Sequence, residues 1–281
     1  MPLSFDPVPH THLLVLSGSR AYGLERPGSD VDVRGVIVPP KRFLYGLDTF
    51  EQTDDPMDTA PFLDDLRPAE RQIAEQVHFE GVLTDLRKIV RLATDGNPAI
   101  LDVLFGRDDE VRRITPVGEA LRAMRGLMLT RALARPYTRY AAGQLDRLRT
   151  HRRWLALPAD HPDRARHPAW TRPRDPARAA LEAQVGYDTK AAMHLVRLLR
   201  TAQETLSTGH VRVWRGDHDA DELGQIRDGA WPWDMLEAWA VEAGRSVEDA
   251  VATSPLPHAP DLPEIERATL ALLDQAIAAQ N

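Results

Sequence analysis

The sequence predicts an α+β protein in which a unit of strands and helices is followed by an all-helical region. In the first 110 residues, short apolar or alternating runs stop at glycine, proline or other turn residues, which is typical of strands. From about Thr115 onward, apolar residues recur mainly at helical spacing. We therefore expect two domains, 1–110 and 111–281, the second with an Arg/Pro-rich loop over about 145–178.

Three segments of the first domain have strand patterns. They are HLLVLSG (12–18), DVDVRGVIV (30–38) and EQVHFEGVL (75–83). A short helix is expected from Ser19 to Leu24, followed by a turn at RPGS. The stretch 39–70 is irregular, acidic and contains prolines, so we expect a mobile surface excursion.

Longer helices are predicted from residue 84 onward and dominate the second domain. Thr84 is the expected N-cap of a helix that stops at Gly96 and Pro98. A long amphipathic helix, beginning near ALEAQVGYDTK, is expected to end at Gly209. The short run HVRVW that follows is a candidate β segment.

Charge is distributed unevenly along the chain, whose net charge is −7. Residues 111–178 carry 16 Lys+Arg, all arginine, against 5 Asp+Glu, whereas both flanking segments are acidic. This excess suits a polyanion such as RNA, but the arginines could equally pair with the acidic flanks inside the fold. Both interpretations remain open at this stage.

Composition also excludes several classes of protein. With no cysteine, disulfides, thiolate catalysis and Cys-based zinc sites are excluded. No run of apolar residues has the length of a membrane span, and the N-terminus lacks a signal-peptide pattern, so we expect a cytoplasmic protein without a membrane partner. No feature of the sequence specifies an oligomeric state.

Asp30 and Asp32 are one residue apart in a predicted strand, so their side chains point to the same face. Two carboxylates held that close repel each other and lose solvation, which is costly without a cation. Gly18 and Ser19 follow the preceding strand, where backbone N–H groups at a helix start can bind phosphate. The pattern predicts a site for two Mg²⁺ ions, replaceable by Mn²⁺, and a nucleoside triphosphate (NTP).

Three further residues of this region are candidate nucleotide contacts. Arg34 lies on the same strand face as the aspartates, where it could bind triphosphate oxygens or hold a carboxylate by an ion pair. Arg20 could touch phosphate or remain solvated, and Ser29 is expected to brace the turn by a backbone hydrogen bond. In-line attack at the α-phosphate would also require a third carboxylate to hold the metal that activates the incoming hydroxyl.

The segments GSRAYGLERPGSDVDVRGV, VPPKRFLYGL, DLRKIVRLATDGNPAILDVLF and YDTKAAMHLVRLLR together resemble the DNA-polymerase-β-like nucleotidyltransferase superfamily. The resemblance is to its bacterial and phage branch of predicted RNA-repair enzymes and covers most of residues 13–230. It implies a polymerase-β-like palm for the first domain, followed by a helical domain. It also implies that Asp30 and Asp32 bind metal and that Gly18 and Ser19 hold the triphosphate.

The resemblance assigns the third carboxylate to Glu80, on the strand before the LRK helix. The family more often has aspartate there, and glutamate is longer by one methylene. Glu75 and Asp85 are the alternatives for the third carboxylate. Glu80 could also be an exposed strand carboxylate that has no role in binding metal.

A second set of candidates lies in the helical domain. Tyr187, Lys190, His194 and Arg197 are spaced 3, 4 and 3, which on a helix confines them to an arc of about 80°. Such a set usually forms the solvated side of a helix. Because it contains donors and no acid, and because YDTKxxMH matches the family, we expect contacts to phosphate or to the acceptor. Lys190 is assigned to the nucleotide, and His194 is interpreted as a hydrogen bonder rather than a general base.

The function expected from this set is transfer of a nucleoside monophosphate (NMP) from an NTP to an acceptor hydroxyl, with release of pyrophosphate. The basic segment favours an RNA end, similar to that of tRNA, as the acceptor. The alternatives are a protein or small-molecule acceptor and a non-catalytic RNA-binding module on the same fold.

Overall fold

The computed structural model describes residues 3–158, 160–166 and 176–280. Its strands are β1 (Thr11–Ser17), β2 (Val31–Ile37), β3 (Gln52–Thr53), β4 (Phe79–Asp85) and β5 (Val111–Ile114). They form one mixed sheet in the order β3-β4-β2-β1-β5. Strand β1 is antiparallel to β2 and β5, whereas β4 is parallel to β2 and antiparallel to β3. The predicted α+β class is confirmed.

Short helices and turns connect these strands, and longer helices dominate the rest of the chain. In the first part they are α1 (Gly18–Tyr22), α2 (Lys41–Tyr45), α3 (Pro56–Thr59), α4 (Pro68–Ala74), α5 (Leu86–Thr94), α6 (Pro98–Phe105) and α7 (Pro116–Ala123). The remaining ones are α8 (Ala134–Leu155), α9 (Pro162–Ala165), α10 (Pro176–Val185), α11 (Thr189–Thr208), α12 (Ala220–Arg227), α13 (Trp233–Thr253) and α14 (Leu262–Ala279). The 3₁₀ helices span Val8–His10, Ala60–Asp65, Asp108–Glu110, Met124–Met128 and Arg131–Leu133.

Contacts divide the chain into two compact units. The first unit comprises Met1–Leu133, Val211–Asp217 and Leu256–Asn281, and the second comprises Ala134–His210 and His218–Pro255. This division differs from the predicted single boundary at residue 110. The sheet continues past that residue because β5 pairs with β1, and the chain returns twice to the first unit.

One cluster of the core of the first unit covers one face of the sheet. Leu16 of β1, Val33 of β2 and Leu83 of β4 are buried on that face together with Phe50 and Phe62. Since alternate strand residues point to opposite faces, this packing leaves the even-numbered residues of β2 on the other face. The core therefore fixes the face on which Asp32 lies.

The acidic stretch 39–70 is not the mobile excursion that the sequence predicts. It contains α2, β3 and α3, and its Phe62 is fully buried beneath the sheet. Two of its carboxylates bind arginines of β5: Asp65 lies 3.0 Å from Arg113, and Glu70 lies 2.6 Å from Arg112. Apolar burial and these ion pairs hold a segment whose composition alone suggests a loop.

Several predicted boundaries shift. The third strand covers Phe79–Asp85 rather than 75–83, and the N-cap of α5 is Asp85, which accepts from the backbone N–H of Arg87 at 2.7 Å, and not Thr84. The predicted loop over 145–178 begins later, since α8 continues to Leu155. Residues 159 and 167–175 of that loop lie outside the described residues. The run HVRVW forms no strand.

The second unit is built from helices packed around α11. Its predicted apolar stripe is buried, namely Ala192, Leu195, Val196 and Leu199. Helices α8, α12 and α13 pack against α11. In the part of the chain that the structure describes, no helix combines the length and apolar character required to cross a membrane.

Candidate functional site

The candidate site lies at one end of the sheet, on the face opposite Phe50 and Phe62. In the strand register, Ser17 of β1 pairs with Asp32 of β2, and Asp32 pairs with Glu80 of β4. The three residues thus form a row across adjacent strands, which are about 4.8 Å apart in a sheet. Asp32 is half-buried and Glu80 is exposed. Two carboxylates therefore occupy neighbouring positions on the face opposite the cluster of Phe50 and Phe62.

Asp30 precedes β2 rather than lying inside it, because the strand begins at Val31. Its side chain is exposed, and its backbone carbonyl accepts a hydrogen bond from Nε of Arg20 at 3.1 Å. The predicted pair of aspartates is thus found at the entrance and at the second residue of β2.

Gly18 lies directly against Asp32. Its backbone is left-handed, with φ of +63°, and a Cβ at this position would overlap the Asp32 carboxylate, whose Cγ would be only 2.9 Å away. Glycine is the residue that adopts this conformation without steric cost and leaves this space open. The Gly18-Ser19 turn and the carboxylate row are therefore one local structure, with Ser19 in the first turn of α1.

Arg20 and Ser29 stabilise the turn that leads into β2. Arg20 donates to the carbonyl oxygens of Ser29 and Asp30, at 2.8 and 3.1 Å. The Ser29 hydroxyl accepts from the backbone N–H of Arg26 at 2.9 Å, which confirms its predicted bracing role. The Arg20 guanidinium is thus bound to the chain itself, which is neither of the two states that the sequence suggested.

Arg34 follows Asp32 on the same strand face and pairs in register with Val82 of β4. It is half-buried. Its position keeps it beside the carboxylate row, as expected. The binding of phosphate by Arg34, or its pairing with a carboxylate, stays a prediction.

The chemistry of the donors fits Mg²⁺, because all are carboxylate oxygens. Among the described residues, no three His, Asp or Glu side chains are grouped closely enough to hold a metal ion. The expected convergence of Asp30, Asp32 and Glu80 is therefore not formed by their side chains as described. Mg²⁺ usually takes only one or two carboxylates and completes its shell with water and substrate phosphate. The neighbouring pair Asp32 and Glu80 meets that requirement by position.

The two alternatives to Glu80 have other places in the structure. Asp85 is buried, caps α5 and pairs with the Arg87 guanidinium at 2.7 Å. Glu75 is the C-cap residue of α4 and is not part of a strand. Within the described residues, the Glu80 side chain makes no hydrogen bond or ion pair, which leaves its carboxylate available.

The set predicted in the helical region is not on one helix. Helix α11 begins at Thr189, so Tyr187 precedes it. Tyr187 is 0% exposed, and its hydroxyl donates to the carbonyl of Trp231 at 2.6 Å. The predicted contact of Tyr187 with acceptor or phosphate is therefore wrong, since its hydroxyl is used inside the second unit.

Lys190, His194 and Arg197 do share α11, and the charges of Lys190 and Arg197 act on His194. Burial is the largest effect on His194 and lowers its pKa to about 3. The positive charges of Arg197, Lys190 and Arg227 act in the same direction, and Asp188 opposes them. His194 is therefore neutral near pH 7, which agrees with a hydrogen-bonding role. With so low a pKa, its imidazole is a poor general base.

Sequence reasoning missed the return of the chain through Val211–Asp217. The backbone N–H of Arg215 donates to the carbonyl of Tyr22 at 2.9 Å, at the end of α1. The Trp214 ring lies against Gly23, and the Arg107 guanidinium stacks over that ring at 3.7 Å. The sequence marked this region only by the run HVRVW, and such a run does not reveal a partner about 190 residues earlier.

The chain was compared with known proteins. The family model RlaP, described as the RNA repair pathway DNA polymerase beta family, matches residues 9–214. The chain belongs to this family. The match covers the whole carboxylate row and α11, and it confirms the branch indicated by the sequence motifs. No significant match was found among curated proteins or among solved structures.

Membership of the RNA repair pathway DNA polymerase beta family supports a nucleotidyltransferase-type role in RNA repair. The mixed sheet followed by helices is consistent with a polymerase-β-like nucleotidyltransferase. Within that fold, the face that carries Asp32 and Glu80 is the candidate active site.

Proposed function

We propose that this chain transfers an NMP from an NTP to a hydroxyl at an RNA end. The bond between the α-phosphorus and the pyrophosphate oxygen breaks, a bond from the α-phosphorus to the acceptor oxygen forms, and the hydroxyl proton is released. One observation carries the proposal. Asp32 and Glu80 are paired in register on β2 and β4, and Gly18 packs against Asp32.

Asp30, Asp32 and Glu80 are the residues proposed to hold two Mg²⁺ ions, with Mn²⁺ as a substitute. Bound Mg²⁺ would neutralise charge on the transferring phosphoryl group and lower the pKa of the attacking hydroxyl. Gly18 and Ser19 are proposed to hold the triphosphate by backbone and hydroxyl donors, because the left-handed Gly18 lets the backbone approach closely.

The other candidates supply positive charge or rigidity. Arg34, on the face of the carboxylate row, is proposed to bind triphosphate oxygens. Arg20 and Ser29 are proposed to act on the nucleotide through the turn they stabilise, since both are hydrogen-bonded to its backbone. Lys190 and Arg197 are proposed to bind phosphate, with neutral His194 as a hydrogen bonder.

RNA is favoured over a cationic small molecule as the acceptor. A cationic substrate would require exposed acidic side chains, but Asp65 and Glu70 of the acidic stretch 39–70 are paired with Arg113 and Arg112. Family membership points independently to RNA repair.

The test is to incubate the full chain with each α-³²P-labelled NTP, Mg²⁺ and total RNA, and to identify the labelled species. Asp32→Asn keeps the size of the side chain and removes its charge, so we expect transfer to fall by at least about 100-fold. Asp48→Asn, at an exposed carboxylate 3.7 Å from Arg42, is the matched control and should retain activity.

Each outcome has a defined meaning. Label on RNA that depends on Asp32 supports the proposal, and full transfer by the Asp32→Asn variant contradicts the mechanism. Label on protein would contradict the RNA acceptor. No label with any NTP, together with RNA binding, would favour the non-catalytic module.

A further inference from the structure

Helix α8 is the most arginine-rich helix of the chain. Its 22 residues contain six arginines and a single acid, Asp146. Four of the arginines are solvent-exposed, and we call them the arginine face: Arg135, Arg139, Arg147 and Arg153. The chain as a whole is acidic, with a net charge of −7, so this helix departs strongly from the rest of the molecule.

The arginine face is a continuous surface of α8. At 100° per residue, its members fall within an arc of about 120°. Tyr137, Ala141 and Leu148 are buried and lie on the opposite side of the helix. From Arg135 to Arg153 the face extends about 27 Å along the helix axis, since each residue adds about 1.5 Å.

Among the other arginines of the basic segment that the structure describes, six have an acidic partner. Arg149 binds Asp146 at 3.0 Å and Glu237 at 2.6 Å, so the one acid of α8 is already occupied. Acid partners are likewise present at Arg112, Arg113, Arg122, Arg166 and Arg178. Pairing within the fold thus accounts for much of the positive charge that the sequence left unassigned.

The arginine face is different. Across residues 3–158, 160–166 and 176–280, none of its four guanidinium groups has an acidic partner, and Arg153 donates only to the Thr150 hydroxyl, at 3.3 Å. Exposed arginines in such a row attract counterions, and a polyanion that displaces them gains the entropy of their release. The planar guanidinium also matches the geometry of phosphate, which it can bind through two parallel hydrogen bonds.

Tyr140 adds an aromatic side chain to this surface. It is adjacent to Arg139 in sequence, and 56% of its surface is exposed. Tyrosine is usually more buried than this. An exposed ring beside cations is the arrangement on which unpaired bases stack in sequence-tolerant binding of single strands. An acidic protein would use the charge of the arginine face but would have no comparable use for the ring.

We propose that the arginine face of α8, together with Tyr140, binds single-stranded RNA through its phosphates and one stacked base. The choice of RNA over other polyanions rests on the proposed function. The surface lies entirely on one helix of the second unit and requires no bound NTP or metal. Binding is therefore expected to be strongly dependent on salt and weakly dependent on sequence.

The test measures fluorescence anisotropy of a labelled 12-nucleotide oligouridine with the full chain, without NTP or divalent ions, over a series of salt concentrations. Each phosphate contact on a single strand contributes about 0.7 to the slope of log K against log salt. The triple variant R135A/R139A/R147A should therefore reduce the slope by about 2 and weaken binding at least about tenfold. The triple lysine variant keeps the charge and should restore the slope.

Two single variants separate charge from stacking. Arg245→Ala is the matched control for Arg139→Ala, because Arg245 is exposed on α13 of the same unit but lies 3.6 Å from Glu242. It should bind RNA as the unaltered chain does. Tyr140→Ala should weaken binding while leaving the salt slope unchanged, since it removes a ring and no charge.

The proposal is overturned if the triple alanine variant keeps the affinity and slope of the unaltered chain, or if Arg245→Ala loses as much as Arg139→Ala. The proposal is also overturned, in favour of an acidic protein partner, if polyglutamate displaces the labelled oligouridine at a lower concentration of negative charge than unlabelled RNA does. Asp32→Asn, measured in parallel, should bind RNA normally. If it also transfers nucleotide normally, the proposed function fails while the arginine face stands.

Discussion

Gly18 shows how a single backbone conformation shapes the candidate site. It is one of several glycines with positive φ in the described structure, but the Cβ that an alanine would add there meets the Asp32 carboxylate. Gly28, with φ of +80°, has nothing within 4 Å of the corresponding position. The two glycines therefore separate the cost of the backbone conformation from the cost of contact with the site.

We predict that Gly28→Ala destabilises the fold by about 1 kcal/mol, because alanine is strained in the left-handed region, and that Gly18→Ala destabilises it by more, because its Cβ also overlaps the Asp32 carboxylate. Only Gly18→Ala should also abolish nucleotide transfer, since it displaces Asp32. Denaturant unfolding and the labelled-NTP assay measure the two effects. Equal activity of both variants would show that the approach of Gly18 to Asp32 has no catalytic importance.

His194 is a titratable residue whose protonation opposes folding. Its pKa falls from the ordinary value of 6.5 to about 3 on folding, so the unfolded chain binds a proton that the folded chain does not bind between these values. The free energy of unfolding therefore rises with pH across this window. The contribution of neutral His194 to stability is lost as the pH falls from 6.5 toward 3.

We predict that His194→Gln, which cannot titrate, is less sensitive to acid than the unaltered chain. The difference in unfolding free energy between the two should change by up to about 1.4 kcal/mol per pH unit below pH 6.5. Urea unfolding at pH 4.5, 5.5 and 7 measures it. An NMR titration of the imidazole with a midpoint near 6.5 would contradict the explanation.

At the scale of elements, Asp188 fixes where α11 begins. Its carboxylate caps the helix by accepting from the backbone N–H of Ala191 at 3.0 Å, and both its oxygens accept from Arg178 at 2.9 Å. Arg178 also binds Glu182 of its own helix at 2.8 Å. One side chain thus joins α10 to the first turn of α11.

We predict that Asp188→Ala destabilises the chain by about 1–2 kcal/mol more than an exposed substitution does, because it removes a cap and one partner of an ion pair. Asp188→Asn should retain most of the cap and lose the charge interaction, so it should fall between the two. Thermal unfolding ranks the three proteins. Equal effects of alanine and asparagine would assign the whole contribution to the ion pair.

At the scale of the whole molecule, the first unit depends on segments that are distant in sequence. Helix α14, near the end of the chain, packs against α7 and buries Ile265, Leu272 and Ala276. Leu272 is 5% exposed, whereas Leu270 on the same helix is 55% exposed. The unit that carries the candidate site therefore includes the last helix of the chain.

We predict that Leu272→Ala costs about 2–5 kcal/mol of stability, as large-to-small changes in cores do, and that Leu270→Ala changes it by less than about 0.5 kcal/mol. Both are leucine-to-alanine changes on one helix, so differences in helix propensity cancel. Denaturant unfolding measures both. A similar small effect for the two would show that α14 is not part of the cooperative unit.

Local patterns predicted much of this molecule. Alternation in DVDVRGVIV predicted β2 and the face of Asp32, and helical spacing predicted the buried stripe of α11. The Gly-Ser turn before a helix was likewise predicted from the sequence, and φ of +63° at Gly18 gives it a steric reason. These features depend on neighbours a few residues apart, which is the range over which propensity and periodicity act.

Other features needed contacts between distant residues. Composition suggested a mobile stretch over 39–70, but Phe62 is buried under the sheet and Glu70 binds Arg112. Helical spacing grouped Tyr187 with Lys190. Tyr187 precedes the helix, however, and its hydroxyl donates a hydrogen bond to the carbonyl of Trp231. No local pattern encodes these partners, because they are 42 and 44 residues apart in sequence.

The sequence by itself determined the strand face of Asp32, the glycine turn and the excess of arginine in the middle of the chain. Only the tertiary structure decided that Glu80 pairs in register with Asp32, that Val211–Asp217 returns to the end of α1, and which arginines remain exposed. The reason is physical. Backbone periodicity is local, whereas strand register and charge pairing are set by which distant surfaces are buried together.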